Sequence, residues 1–444
     1  MKKGKAISLL TILSVLLALL TFITFARFPI GTRNFNGILG AIELDTDLGR
    51  GYAYTLEYSD ENVGDVTDIN EVTDTIKSRL YALGYKNASV KTVKDSSETV
   101  KDYDIVITLP ASIDEYGQPN TEKLTADVNA VAAYGEIALY GGTSENPTSR
   151  ILEGEKVISA ASYSGSYIDE NGELKYSALI KFTQKAYDFI MDEIDVAAEE
   201  SASYYLTIKL GEETLLNGSI GKSTFSGRSL SITNADVDSL KQNVLKLATG
   251  GLAYKYDVTM AETNASLGKN AGLISGVAVA VIVLFIMAAL IAFYRGIGIS
   301  GALSAFAFIL VETAMLVAVP GIKLSLSGIF GMIASTILLG VGLIFTSKMI
   351  SAEFAAGKTV KAAVKFGYRK AFFPILFANL FAGISGLVIF LLGGGALVNF
   401  GITLGIGAVV SFISTTLLSR LYMVIFMPLV KNPENFFNMP KGEA

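Results

Sequence analysis

Between Leu326 and Ser347 the chain runs without a charged residue. At about 1.5 Å of rise per residue, a helix of that length crosses the hydrocarbon core of a bilayer. The stretch around it, LSLSGIFGMIASTILLGVGLIFTSKMISAE from Leu324 to Glu353, does not read as a lipid-facing anchor. Gly328, Gly331, Ala334, Ser335, Gly340 and Gly342 are scattered through it. Small residues let helix backbones approach in lipid, so this segment is expected inside a helix bundle.

Five other apolar segments are long enough to span: the N-terminal run to Phe25, and 272–294, 298–319, 371–392 and 397–419. Lys2, Lys3 and Lys5 precede the first. That apolar run is longer than a signal-peptide core and no A-x-A site follows, so an uncleaved helix is expected. The 348–370 segment holds Lys348, Lys358, Lys361, Lys365, Arg369 and Lys370 against Glu353 alone. By the positive-inside rule it is cytoplasmic, as are both termini, and residues 28–270 lie outside. This topology satisfies every charge cluster except Lys323, one residue in the short outer turn Pro320–Lys323. Gly393–Gly395 forms the other outer turn. The expected location is the cytoplasmic (inner) membrane of a bacterium.

Charge divides the chain in the same way. Residues 271–430 contain two acids, Glu312 and Glu353, whereas residues 28–270 contain 37 acids and 21 bases. A net charge of −16 over that region favours solubility and argues against nucleic acid as a partner. The sequence has no cysteine and no histidine. Disulfides, thiolate zinc sites, Cys nucleophiles and Ser–His–Asp sets are therefore excluded. Gly221–Thr224 (GKST) has the tail of a phosphate loop without its first glycine at the right spacing. Neither an enzyme activity nor a metal or cofactor is expected.

The outer region reads as an α+β domain. A strand at Gly51–Tyr58 is followed by a helix with Val72, Ile76, Leu80 and Leu83 on one face, ended by Gly84. NASVKTV and DYDIVITLP alternate as strands. TEKLTADVNAVAAYG reads as a helix with Thr121 as N-cap, and EIALY as the next strand. The order β-α-β-β-α-β is the ferredoxin-like unit. Further strands and the amphipathic helix TQKAYDFIMDEIDVAAEE follow. The expected organisation is helix one over 1–27, a base over 28–145, an inserted head over 146–215, base completion over 216–270, helices two to six over 271–430, and a tail over 431–444.

Six motifs, in order, carry a family resemblance. DLGRGYAYTLE, with Asp47, Gly49 and Gly51, resembles the "DL-x-GG" element of SecD, the protein-export translocase subunit. AETNASLGKNAG is similar to its "TVGPSLGxD" lead-in to the second helix. FYRGIGISGAL, with Arg295, resembles "YRxxGLxA". LSLSGIFGMI, with Gly328 and Gly331, resembles "LTLPGIAGIV". AEFAAGKTVKAAVKFGYRKAF, with Gly357, Lys358 and Gly367, is similar to "EExRxGKxxxxAxxxGFxxAF". NFGITLGIGAVVSFISTTLLSR, ending at Arg420, resembles "GFAVTLxIGxxxSxFTAxxxTR". The resemblance implies an RND-superfamily fold of six transmembrane helices under a domain with a ferredoxin-like base and a mobile head. It implies assistance to preprotein export, powered by the proton gradient. It implies as partners a SecF-like membrane subunit, the Sec translocon channel and unfolded preproteins.

The departures from the family fall on the coupling acids. An ungapped match to "GMxVDANVLIFER" places Val341 at the aspartate, and a match to "TILDANxTT" places Phe377 at the second, leaving Asn379. Neither Val nor Phe exchanges a proton. Glu312 is the one acid within the six spans, and an intramembrane acid is a transport candidate by default. Its other reading is a neutral carboxyl hydrogen-bonded to a neighbouring helix. Asn379 is a second candidate, with helix–helix contact as its alternative. Three readings of the whole stay open: an export subunit, an RND-like subunit for lipid or small-molecule transport, and a non-transporting membrane sensor or assembly factor.

Overall fold

A computed structural model describes residues 3–30, 33–62, 66, 68–85, 88–94, 103–111, 120–152, 156–199, 202–319, 322–394 and 396–437. Asn87, Pro320, Gly321 and Gly395 of the predicted strand and turns, and residues 438–444 of the tail, lie outside the described residues. The chain forms two compact units, Met1–Gly51 with Asn264–Ala444, and Tyr52–Thr263.

The chain begins with helix α1 (Lys3–Phe25). The second unit then holds β1 (Gly51–Tyr58), α2 (Ile69–Ala82), β2 (Ser89–Lys94), β3 (Tyr103–Pro110), α3 (Thr121–Ala132), β4 (Ile137–Gly142), β5 (Arg150–Ile151), β6 (Ile158–Ile168), β7 (Leu174–Phe182), α4 (Gln184–Glu199), β8 (Tyr204–Leu210), β9 (Glu213–Ile220), β10 (Phe225–Ser226), β11 (Ser229–Asn234), α5 (Val237–Thr249) and β12 (Tyr256–Thr263). Its first sheet has the order β12-β1-β3-β2. In the numbering of a βαββαβ unit this is 4-1-3-2, the ferredoxin-like arrangement. Tyr54, Leu56, Ile105, Ile107 and Leu109 from the sheet bury against Ile76, Leu80, Leu124 and Val128 from α2 and α3. The Asp68 side chain accepts from the Asn70 and Glu71 amides at the start of α2, and Gly84 (φ 97°) turns the chain beyond its end.

Two sequence expectations change here. The cap of α3 is Asn120, whose side chain accepts from the Lys123 amide; Thr121 is the first helical residue. Asn and Thr both cap well, and the amide oxygen takes the bond. The strand that completes the ferredoxin-like sheet is β12, whereas EIALY (in β4) pairs with β8 and β5. The chain leaves the base after α3 and returns at Leu252, whose amide donates to the Ala133 carbonyl (2.8 Å) while Gly135 N donates to the Leu252 carbonyl (3.2 Å). Everything from β4 to β11 lies in this excursion, in sheets β9-β8-β4-β5 and β10-β11-β7-β6. Of the segment expected to complete the base over 216–270, β12 joins the base sheet and β9 and β11 do not. Leu139, Ile180, Phe182, Ile190, Leu206 and Ile208 form the inserted core. Helix α5 serves both cores, with Leu240, Val244 and Leu247 in the second and Leu245 in the first.

Arg79 on α2 is 1% exposed. It donates to the Val131 and Ala133 carbonyls at the end of α3 (2.6 and 3.2 Å) and to the Gly250 carbonyl after α5 (2.7 Å). Burial lowers its pKa to about 10, so it stays charged at neutral pH against the negative ends of two helices.

The other unit holds α6 (Ala271–Ala318), α7 (Leu326–Ala355), α8 (Val360–Leu392) and α9 (Leu397–Phe426). With α1 these are five helices long and apolar enough to cross a membrane. Helix α6 is 48 residues long and breaks at Arg295 (φ 46°, ψ −117°), so it supplies two of the six expected spans. The halves fold back closely: a side chain at Gly298 would collide with the Leu290 carbonyl. The basic 348–370 segment is mostly helix. Helices α7 and α8 run past their apolar parts into it, and the turn between them uses Gly357 at φ 84°. Its alanines and lysines are good helix formers, which the uneven hydropathy hides.

Candidate functional site

At one end of the bundle, three of the motifs meet the start of the sixth. Asp47 Oδ2 accepts from the Leu326 amide (2.6 Å) at the start of α7, and Ser325 Oγ accepts from Gly328 N (3.3 Å). The Thr46 and Asp47 carbonyls accept from Ser266 and Leu267 in the lead-in to α6, and Leu48 O from Gly272 N. Asn399 of α9 donates to the Lys323 carbonyl (2.6 Å) and to Ser325 Oγ (3.0 Å). Gly49 lies against Leu44, and Gly51 begins β1. Asp47 thus caps a helix some 280 residues away in the chain, satisfying one of its free amides.

At the other end the remaining motifs meet. Glu353 on α7 is 4% exposed in its side chain and pairs with both Lys358 and Lys370. Gly367 packs on the Ile350 backbone, and Tyr368 OH lies 2.8 Å from Ser419 Oγ. Arg420 sits over the Tyr368 ring, 6.0 Å from its centre. Beyond the Arg295 break, Gly296 touches Phe436 and Ile297 joins a core with Ile350, Val364 and Met423.

Between these ends the second half of α6, α7 and α9 meet on small and polar residues. Thr403, Gly407, Ser411, Thr415 and Ser419 recur every four residues on one buried face of α9. Opposite lie Gly331, Ser335 and Gly342 of α7 and Ser304 and Glu312 of α6. Gly331 packs against Thr403 and the Phe400 carbonyl, and Gly342 against Thr415. Gly328 is spaced against Thr403 and Asn399. Glu312 is fully buried: Oε1 accepts from Ser335 Oγ (2.6 Å), and Oε2 has no partner among the described residues. Gly407 lies directly against Glu312 Oε1 and Ser335. Ser411 Oγ and Thr415 Oγ1 are also buried, without partners among the described residues. One turn further, α9 passes through a π-helical segment, Ser414–Leu418, and Ser304 Oγ donates to the Ser414 carbonyl (2.5 Å). No sequence signal marked that π turn, a feature common at functional sites. The Ser335–Gly407 pairing had a signal, the four-residue spacing of small residues, but its partner helix was not legible.

The positions matched to the family's acids face elsewhere. Val341 is 59% exposed and Phe377 50% exposed, both directed out of the bundle. Asn379 is buried, donates to the Ile375 carbonyl (2.8 Å) within α8, and its Oδ1 has no partner among the described residues. It lines an apolar groove of about 530 Å³ between α8 and α9, with Gly383 and Gly405. Glu312 and Asn379 are therefore not brought together, and Glu312 does not stand in for an acid at 341 or 377.

Comparison with known proteins places this geometry. No family model matches the chain. Among curated relatives, the protein translocase subunit SecD of Alicyclobacillus acidocaldarius is 30% identical over 239 residues, covering 50% of this chain and 51% of that protein. SecD of Magnetococcus marinus is 26% identical over 66% of this chain and 54% of that protein. SecD of Escherichia coli K12 is 29% identical over 30% of this chain and 21% of that protein. The matches cover between 21% and 54% of the length of these relatives. A crystal structure of SecDF in a super-membrane-facing form superposes with a TM-score of 0.67 at 20% identity, covering 95% of this chain and 57% of that one. At that identity the superposition establishes the fold: apolar membrane helices with an α+β domain inserted after the first. In sequence the chain is similar to SecD proteins at 26–30% identity over up to 66% of its length, and in fold it is similar to SecDF.

Proposed function

We propose that the chain is an accessory subunit of the Sec protein translocase, assisting preprotein export across the cytoplasmic membrane beside a SecF-like partner. The extent of the fold match supports this most: 95% of this chain superposes on 57% of a SecDF chain. In this reading the basic end around Lys348–Lys370 is cytoplasmic and residues 28–270 face outward, meeting preprotein as it leaves the channel. The outward-facing Val341 and Phe377 carry no exchangeable proton, so proton coupling, where it operates, uses acids of the partner.

Glu312 has a packing role in this reading, bridging α6 to α7 through Ser335. Glu312→Gln is expected to preserve both assembly and export, because an amide oxygen accepts from Ser335 equally well. Loss of gradient-dependent export with assembly intact would move Glu312 into the coupling path. The wider proposal is tested by extracting the tagged chain in mild detergent and identifying what copurifies. Sec channel subunits and a SecF-like protein are expected. A chain that purifies alone, with no secretion defect on deletion, overturns it.

A further inference from the structure

The basic end of the bundle carries a groove of about 470 Å³ whose lining is split by chemistry. Val364 on α8 and Val424, Met427 and Pro428 at the end of α9 give it an apolar floor. Lys361, Lys365 and Arg420 give it three cations. Lys361 and Lys365 stand one helical turn apart on α8, with Arg420 contributed by α9. All three are exposed, and among the described residues no acid lines the groove. The buried acid of this end, Glu353, is already held between Lys358 and Lys370.

We propose that this groove binds an anionic glycerophospholipid, with the phosphate between the three cations and acyl chain along the apolar floor. The groove lies where α8 and α9 leave their apolar stretches, the depth at which lipid headgroups sit. Cations near an anionic membrane surface each contribute about fivefold in binding. Arginine adds a planar fork matched to phosphate oxygens. A free phosphate would use the cations and leave the floor bare; a phospholipid uses both.

The test is native mass spectrometry of the full chain in detergent, titrated with phosphatidylglycerol and, separately, phosphatidylcholine. The expected preference for phosphatidylglycerol is on the order of tenfold or more. It is lost in the variant Lys361→Gln/Lys365→Gln/Arg420→Gln. It is kept in Lys5→Gln/Lys348→Gln/Arg369→Gln, which removes equal charge outside the groove. It is also kept in Lys361→Arg/Lys365→Arg, which preserves charge and reports on folding. Glycerol 3-phosphate is expected not to displace the lipid. An unchanged preference in the groove variant, equal loss in the outside variant, or displacement by glycerol 3-phosphate each overturns the proposal.

Discussion

Replacing Gly407 with alanine probes the centre of the membrane unit. A Cβ there would fall well inside van der Waals contact of Ser335 Cβ and Oγ and of Glu312 Oε1. The Glu312 carboxyl ends a flexible side chain and can swing aside; Ser335 Cβ is fixed to the α7 backbone. Helices α7 and α9 would therefore have to part. A gap of 0.5–1 Å forfeits roughly a quarter to a half of each dispersion contact. It would also loosen the two other close approaches along this seam, Gly331 on Thr403 and Gly342 on Thr415. Overpacking of this kind costs about 1–3 kcal/mol, and the shared seam argues for the upper half of that range. Ser335→Gly removes the obstructing Cβ. Alone it loses a hydrogen bond, about 1 kcal/mol, and helix propensity, about 0.5 kcal/mol. Combined with Gly407→Ala, it should recover at least about 1 kcal/mol relative to the sum of the single changes. Unfolding of the purified chain in detergent, followed for all four members of the cycle, measures this coupling. A Gly407→Ala variant as stable as the parent, or strictly additive effects, would refute the close packing of α7 on α9.

Other substitutions address the ends and the outer domain. Asp47→Ala should destabilise the membrane unit by about 1 kcal/mol through loss of the α7 cap, with Asp47→Asn retaining most of it; a lowered melting temperature in the first and not the second is the expected pattern. In the outer domain, Asp236 caps α5, accepting from Ser239 Oγ and from the Asp238 and Ser239 amides. These bonds hold its pKa below the ordinary 3.8. The cap's contribution is complete above that value and fades as the pH falls through the lower folded one. Asp236→Ala should therefore cost about 1 kcal/mol at neutral pH and progressively less in strong acid, as read from proteolysis of the outer domain in the full chain.

Much of this architecture was legible because hydropathy and charge act over long windows. The apolar spans, the basic segment and the acidic outer region each stand out without any knowledge of pairing. Asp47, Gly331, Gly357 and Gly367 could be singled out as motif residues, but their jobs could not. A cap on a helix distant in sequence, a helix crossing and a left-handed turn are tertiary facts. The misplaced strand has the same cause. Nothing local to EIALY says that it pairs with β8 rather than β1; Leu139 settles it by joining the inserted core, while Tyr256 of β12 joins the base core. Glu312 stood out as a lone acid in a span, yet only the fold shows it turned inward on Ser335 and Gly407, away from the outward faces of Val341 and Phe377.

Assistance to Sec-dependent export beside a SecF-like partner, as proposed, is open to direct test. Proteoliposomes holding the Sec channel and its motor, with and without this chain and its copurifying partner, test it directly through the rate of protease-protected preprotein under an imposed proton gradient. Faster completion of translocation is expected only when both subunits are present. Equal rates with and without them would contradict the claim.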